Sequence, residues 1–458
     1  MIDPFASIAE LGQGLRDRAF TAQDIARTYL DRLNDLGRAH NAVAQLTPEL
    51  AMKQAAASDA RFAAGTPLGL LDGIPFGVKD LLATKGIPTR WGSPGHADQV
   101  FDFDATAVQR LQDAGAVLLA KLAMIELAGG GNYDSAAASA TGPCLCAFDK
   151  TKWAGGSSSG SGAATALGCV GFSLGSETAG SILCPSGFNG LTGFRATYGR
   201  VSRHGAMALA WSLDKVGAIC RSADDVAAVL PVIAGLDPKD PSTIPAKLNL
   251  RAKGPKPRIG LVKETFAENK ADACQKGYEA AVNLWKSQGY DIVDVAWPDL
   301  PYDLAVNIIV DAEGASAHEN FIRGPRFQEM ADVNQVAGFA AALQTKAVDY
   351  LWAMRLRIEA LKANEIWEKC DAIFTPIFYH GAPSVVGSLN DGFANMGGEW
   401  GPCHLLGWPA LGFPICFEGN LPIGGQIMAP CYREDTCMRI VRDFQRATDW
   451  HKRRPSQG

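Results

Sequence analysis

Apolar and polar positions alternate along the chain in a way that divides it into short strands and amphipathic helices. Thr21-Ala-Gln-Asp24 precedes Ile25, Leu30 and Leu33. This is a capping pattern followed by apolar residues at helical spacing, and it predicts a helix over Thr21–Leu36. Leu71 to Val78 reads as a turn and then a strand. Within Asp104–Leu119, Ala107, Val108 and Leu111 share one helical face, Gly115 turns the chain, and Ala116-Val-Leu-Leu119 continues as a buried strand. Arg258-Ile-Gly-Leu-Val262 and Asp371-Ala-Ile-Phe-Thr375 are further short apolar strands beside helical stretches. Strands alternating with helices predict an α/β layered architecture. Pro238–Pro257 is rich in Pro and Lys and reads as a surface connection; no internal repeat or low-complexity tract interrupts the pattern.

Composition narrows the classes of function. The 458 residues suffice for a large core, and length alone suggests two or three domains. Lys and Arg number 43 against 48 Asp and Glu, a formal charge of −5 with no basic block. Neither nucleic acid nor an anionic membrane is therefore an expected partner. No apolar run reaches the ~18 residues of a membrane span. Met1-Ile-Asp-Pro4 lacks a basic leader, so a cytoplasmic location is the expectation. The 11 cysteines are scattered through apolar sequence, as at Cys169, Cys220 and Cys416, and read as small buried hydrophobes. Cys144-Leu-Cys146 has no second pair at zinc spacing, and the 7 histidines form no His-x-x-x-His pair. No metal and no other cofactor is expected.

Chemistry concentrates in two glycine/serine loops, Ala154-Gly-Gly-Ser-Ser-Ser-Gly-Ser-Gly-Ala163 and Gly175-Ser-Glu-Thr-Ala-Gly-Ser-Ile-Leu-Cys-Pro185. The small residues Ala163–Gly171 between them suit a tightly packed helix or strand. Glycine lets backbone approach a ligand closely, and successive loop N–H groups can converge on an anion. Upstream, Gly73-Ile-Pro-Phe-Gly-Val-Lys79-Asp80 sets one lysine among apolar residues. With these three motifs in this order, the chain resembles the amidase signature family. The resemblance implies a Ser–Ser–Lys triad of Lys79, a bridging Ser157 after a cis peptide bond, and a nucleophilic Ser181, twenty-four positions further on. It also implies an oxyanion hole made by the N–H groups of Thr178, Ala179, Gly180 and Ser181. The implied fold is one α/β domain over residues 1–458, with a central mixed β-sheet covered by helices. The likeness runs from Thr21–Leu36 to Gly407-Trp-Pro-Ala-Leu-Gly-Phe-Pro414 and Leu421-Pro-Ile-Gly-Gly-Gln426. Residues from about 261 to 396 match loosely, in the part that usually shapes the substrate pocket. The implied partner is a small-molecule amide, and a homodimer is compatible with the resemblance.

Lysine can take a serine proton only when neutral, so the amine of Lys79 must lose much of its basicity. Burial among Phe76, Val78 and Leu81 would do this by desolvation, and Asp80 would oppose it if its carboxylate faced the amine. Glu177 and Ser176 are expected to brace the nucleophile loop, Ala179 to hold a negative φ, and Arg195 to be structural. Gly156-Ser-Ser158-Ser-Gly160 also fits a hydrolase nucleophile elbow, but without the supporting Asp and His. Ser212-Leu-Asp-Lys215 fits S-x-x-K and reads as a chance match. Leu183 and Cys184 stand where carboxylate-handling relatives carry an arginine, which argues for a neutral or apolar amide. Arg323 or Arg326 is the candidate replacement for that arginine. Gly156, Cys184, Tyr379 and Trp400 are the candidate pocket residues, with Trp408 beside them. The competing readings are the glutaminase-like member of an amidotransferase built from several subunits, and a hydrolase of carbamates or ureas.

Overall fold

The structure, a computed structural model, describes residues 2–248, 250, 254–263, 265–266, 272–394, 396 and 400–456. Its centre is a mixed sheet of eleven strands. In chain order these are β1 (Val43–Leu46), β2 (Pro75–Lys79), β3 (Val117–Leu122), β4 (Phe172–Glu177), β5 (Thr192–Arg195) and β6 (Lys215–Cys220). They continue as β7 (Ile259–Val262), β8 (Ile292–Val295), β9 (Ala372–Pro376), β10 (Ala410–Glu418) and β11 (Leu421–Met428). Across the sheet they lie in the order β1-β3-β2-β4-β6-β5-β10-β11-β9-β7-β8. Strands β3, β2 and β4 run parallel, whereas β6 is antiparallel to both β4 and β5. The middle strands β2, β3 and β5 are buried at every position. Burial on both faces is why β2 and β3 read as largely apolar runs, each with one buried lysine, Lys79 and Lys121. The expectation of a layered α/β domain with a mixed sheet is met.

Local signals behave as their chemistry requires. Thr21 caps the helix Ala22–Arg32 reciprocally: its hydroxyl accepts from the Asp24 N–H and the Asp24 carboxylate accepts from the Thr21 N–H, both at 3.0 Å. The chain then continues through a wider turn, Leu33–Gly37. Gly115 turns with φ 85°. The strand after it reaches Leu122, beyond the expected Leu119, because it pairs in parallel with β2 as far as Lys79. The small-residue segment becomes a helix, Ser159–Ala166, buried along its whole length. Residues 261–396 supply β8, β9 and the helices Asp272–Ser287, Tyr302–Ala317, Val333–Ala342 and Ala347–Glu359. Their strands extend the edge of the same sheet and build no second one. Among the described residues no helix is long and apolar enough to cross a membrane.

Gly160, in the first turn of the helix Ser159–Ala166, shows why this motif needs glycine. A Cβ here would collide with Ala42 O and Ala123 N, both backbone atoms. Gly160→Ala is therefore expected to cost about 1–3 kcal/mol, since an overpacked backbone contact cannot relax cheaply. An unchanged urea midpoint would show that the helix can shift away.

Candidate active site

The site lies where several strands end together. Lys79 closes β2 and Glu177 closes β4, its parallel neighbour, while Lys215 opens β6 directly opposite Glu177. Carboxyl ends of parallel strands are a common place for a site, because loops can converge there. Both glycine/serine loops reach this edge. The first passes Ser157, preceded by a cis peptide bond from Gly156, into the helix Ser159–Ala166. The second leaves β4, turns at Gly180 with φ 86°, and enters the helix Leu183–Phe188. Ala179 is absent from the positive-φ residues, as its Cβ requires.

These loops bring the three sequence-predicted side chains into one line. Lys79 Nζ is 2.7 Å from Ser157 Oγ, which is 2.9 Å from Ser181 Oγ. All three residues are buried. Lys79 Nζ also donates to Ser176 Oγ at 3.0 Å, so Ser176 holds the lysine in addition to shaping the loop. Burial pulls the Lys79 amine down to about 7, against the attraction of Asp214 and Glu177. Asp80 takes no part: its carboxylate pairs with Lys121 at 3.2 Å and accepts from the Arg90 N–H at 3.1 Å.

Glu177 anchors the turn from within. Its carboxylate accepts from the N–H groups of Ile182 at 2.8 Å and Leu183 at 3.0 Å, and pairs with Arg195 at 2.8 Å. Arg195 also donates to Trp408 O at 3.2 Å and to His404 Nδ1 at 3.1 Å, a structural position as expected. From outside, the Asp214 carboxylate accepts from Thr178 Oγ1 at 2.6 Å, and Lys215 Nζ donates to Thr178 O at 3.1 Å. Among the described residues, no protein acceptor takes the N–H groups of Ala179, Gly180 or Ser181. The loop is thus held on both sides while those donors stay free.

The remaining candidates separate. Gly156 and Cys184 are neighbours: burial pushes the Cys184 thiol up to about 12, against the pull of the Gly156 N–H. The Trp400 ring lies 3.6 Å from where a Gly180 Cβ would stand. Tyr379 is instead a core residue, with its ring 4.7 Å from that of Phe266 and its hydroxyl accepting from the Phe266 N–H at 3.3 Å. Trp408 is likewise buried, packing on Trp367 at 4.6 Å and donating to Asn364 Oδ1 at 3.0 Å. Arg323 and Arg326 do not replace the missing arginine; they pair with Glu319 and with Glu329 and Asp98 at the surface. Ser158, the alternative elbow serine, spends its hydroxyl on Ser176 O at 3.2 Å.

Sequence reasoning missed Asp214 and Lys215, and dismissed the motif that contains them. The available signal was a charged pair set between Leu213 and the apolar run Val216–Cys220. It also missed an arc of rings from Trp400 through Phe378 and Phe393 to Trp153, with centroids 5.6, 5.6 and 5.9 Å apart. Trp153 ends this arc beside Gly156.

Comparison with known proteins identifies the family. The sequence profile of the amidase family matches residues 24–438. The chain belongs to the amidase family. It is 35% identical to a glutamyl-tRNA(Gln) amidotransferase subunit of Azoarcus sp. (strain BH72), over 98% of this chain and 99% of that protein. The native peptide amidase of Stenotrophomonas maltophilia superposes with a TM-score of 0.85 at 27% identity, covering 97% of each chain. A chain from a vestigial protein complex bearing on the origins of an s-triazine catabolic enzyme superposes at 0.87 with 29% identity, over 96% of this chain and 98% of its own length. Among the described residues, no group of three His, Cys, Asp or Glu is placed to hold a metal ion.

Proposed function

We propose that this protein hydrolyses the C–N bond of a small, neutral or apolar amide through an acyl-enzyme on Ser181, without a metal. The observation that carries the reading is the hydrogen-bonded line from Lys79 Nζ through Ser157 Oγ to Ser181 Oγ, 2.7 and 2.9 Å long. With Lys79 neutral, the bonds run the other way: Ser181 donates to Ser157, and Ser157 donates to the amine lone pair. Ser181 Oγ attacks the carbonyl carbon as its proton passes to Ser157, whose own proton moves to Lys79. The free N–H groups of Ala179, Gly180 and Ser181, with Thr178, receive the oxyanion. Collapse breaks the C–N bond, and the proton returns along the same line to the leaving nitrogen. Water then repeats the sequence on the acyl group and frees the acid.

The nature of the substrate rests on Leu183, Cys184 and the aromatic arc, with residues of the 261–396 region, among them Phe378 and Phe393, shaping that side. A carboxylate placed by Cys184 would lose a charge-assisted partner on desolvation. That costs ~2–5 kcal/mol, or roughly thirty-fold or more in kcat/KM. The second reading, the glutaminase-like member of an amidotransferase assembly, is favoured by the full-length similarity to a glutamyl-tRNA(Gln) amidotransferase subunit. Ammonia and amine release should be measured over a panel of amides with Ser181→Ala as the blank. Aryl and alkyl amides are expected to outperform glutamine, asparagine and malonamate. A clear preference for the carboxylate-bearing compounds would favour the second reading.

A further inference from the structure

Lys215 is a second buried lysine at the same edge of the sheet, and the proton relay does not use it. Its amine donates to Thr178 O at 3.1 Å. That oxygen and the Ala179 N–H belong to one peptide group, with the carbonyl facing Lys215 and the N–H free of any protein acceptor among the described residues. A cation on the oxygen draws electron density away from the nitrogen and strengthens the N–H as a donor. We propose that Lys215 is a positioning residue for the oxyanion turn: its ammonium holds the Thr178–Ala179 peptide in place and polarises it, so that Ala179 binds developing negative charge more tightly. The inference rests on the reading of residues 178–181 as the oxyanion hole, and it assigns the two lysines opposite charge states in the working enzyme.

The surroundings of Lys215 make that assignment testable. Glu177 faces it from β4, Asp214 precedes it, Arg195 comes from β5, and Cys403, His404 and Cys431 are close enough to interact with it electrostatically. It also opens onto a cavity of about 200 Å³ whose charged lining includes Arg203, His204, Lys239 and Asp240. Burial, reinforced by Arg195, pulls Lys215 down to about 7, against Glu177, Cys403 and Asp214. Lys79 must be neutral to act as a base, so activity rises with pH through its titration. Lys215 must be charged to polarise the turn, so activity falls with pH through its own. The two titrations produce a bell whose midpoints belong to the pair.

A fluorophosphonate tests this without knowledge of the natural substrate. Ser181 Oγ forms a bond to phosphorus as the P–F bond breaks, fluoride leaves, and the serine proton passes to Lys79. The phosphoryl oxygen takes the place of the oxyanion. Inactivation rates across pH are compared for the wild-type protein, Lys215→Met and Lys215→Arg. The wild-type rate is expected to rise and then fall around neutrality. Lys215→Met is expected to react about ten-fold more slowly, less than the loss of a whole oxyanion donor, and to lack the alkaline fall. Lys215→Arg, permanently charged, is expected to keep most of the rate and also lack the fall. An alkaline fall persisting in either variant with the wild-type midpoint, or a Met variant within about two-fold of wild type, overturns the proposal. Equal losses in both variants with unchanged midpoints would mark a merely structural role and overturn it as well. Labelling that survives Ser181→Ala would instead fail the site reading itself, and this inference with it.

Discussion

Replacing Lys79 by alanine is expected to lower kcat by about 10⁴-fold or more, a loss as large as that of Ser181→Ala. The two effects should match because the relay works as a unit: without a proton acceptor at one end, the hydroxyl at the other stays a weak nucleophile. The double variant should be scarcely worse than either single one. The pH dependence follows from the same burial. Lys79 titrates near 7 because it is desolvated, so the base is available above that pH and protonated below it. Wild-type activity should fall as pH drops through that region. Ser176 accepts from the same amine, and Ser176→Ala should keep the relay while weakening the lysine's placement. A sulfonyl-fluoride probe should label the peptide that carries Ser181. If Lys79→Ala keeps more than about a tenth of the wild-type kcat, another group is removing the proton.

Much of this arrangement is legible along the chain because its causes are local. The Thr21–Asp24 cap, the turn at Gly115 and the apolar run before Lys79 each act within a few residues. The amidase motifs are legible for a related reason: close backbone packing and positive-φ turns need glycine at fixed offsets, and Gly160 against Ala42 and Ala123, and Gly180 with φ 86°, show those needs in the structure. What stays hidden depends on pairing across the sheet. Glu177 meets Lys215 through the antiparallel register of β4 and β6, nearly forty residues apart, and no local spacing announces that contact. Asp80, next to the lysine in sequence, turns to Lys121 on β3 instead. Aromatic residues are ambiguous for a similar reason. Tyr379 and Trp408 carry the same composition signal as Trp400, yet they pack inward while Trp400 covers the turn. Their facing is set by neighbours on other elements.

Removing Glu177 is expected to have the largest effect on stability. Its buried carboxylate satisfies the Ile182 and Leu183 N–H groups as well as the Arg195 guanidinium. Burial pushes Glu177 up, yet Arg195, Lys215 and those N–H groups hold it below the usual carboxylate range. Glu177→Leu would leave a buried guanidinium without its anion, a cost of ~3–5 kcal/mol. Arg195→Met leaves Glu177 with Lys215 and two backbone donors, so it should cost less. The pair Glu177→Leu with Arg195→Met should recover a sizeable part of the summed loss, because neither buried charge is then stranded. Urea midpoints of the three variants would measure this, and strictly additive losses would rule out mutual dependence. Glu177→Gln separates charge from packing. Its amide oxygen can still accept from the turn, but it no longer attracts the two lysines. Glu177 raises the Lys79 pKa against the pull of burial, so its loss should move the acid limb of the activity profile to lower pH. A limb that stays in place would mean that Asp214 alone sets the electrostatic environment of the base.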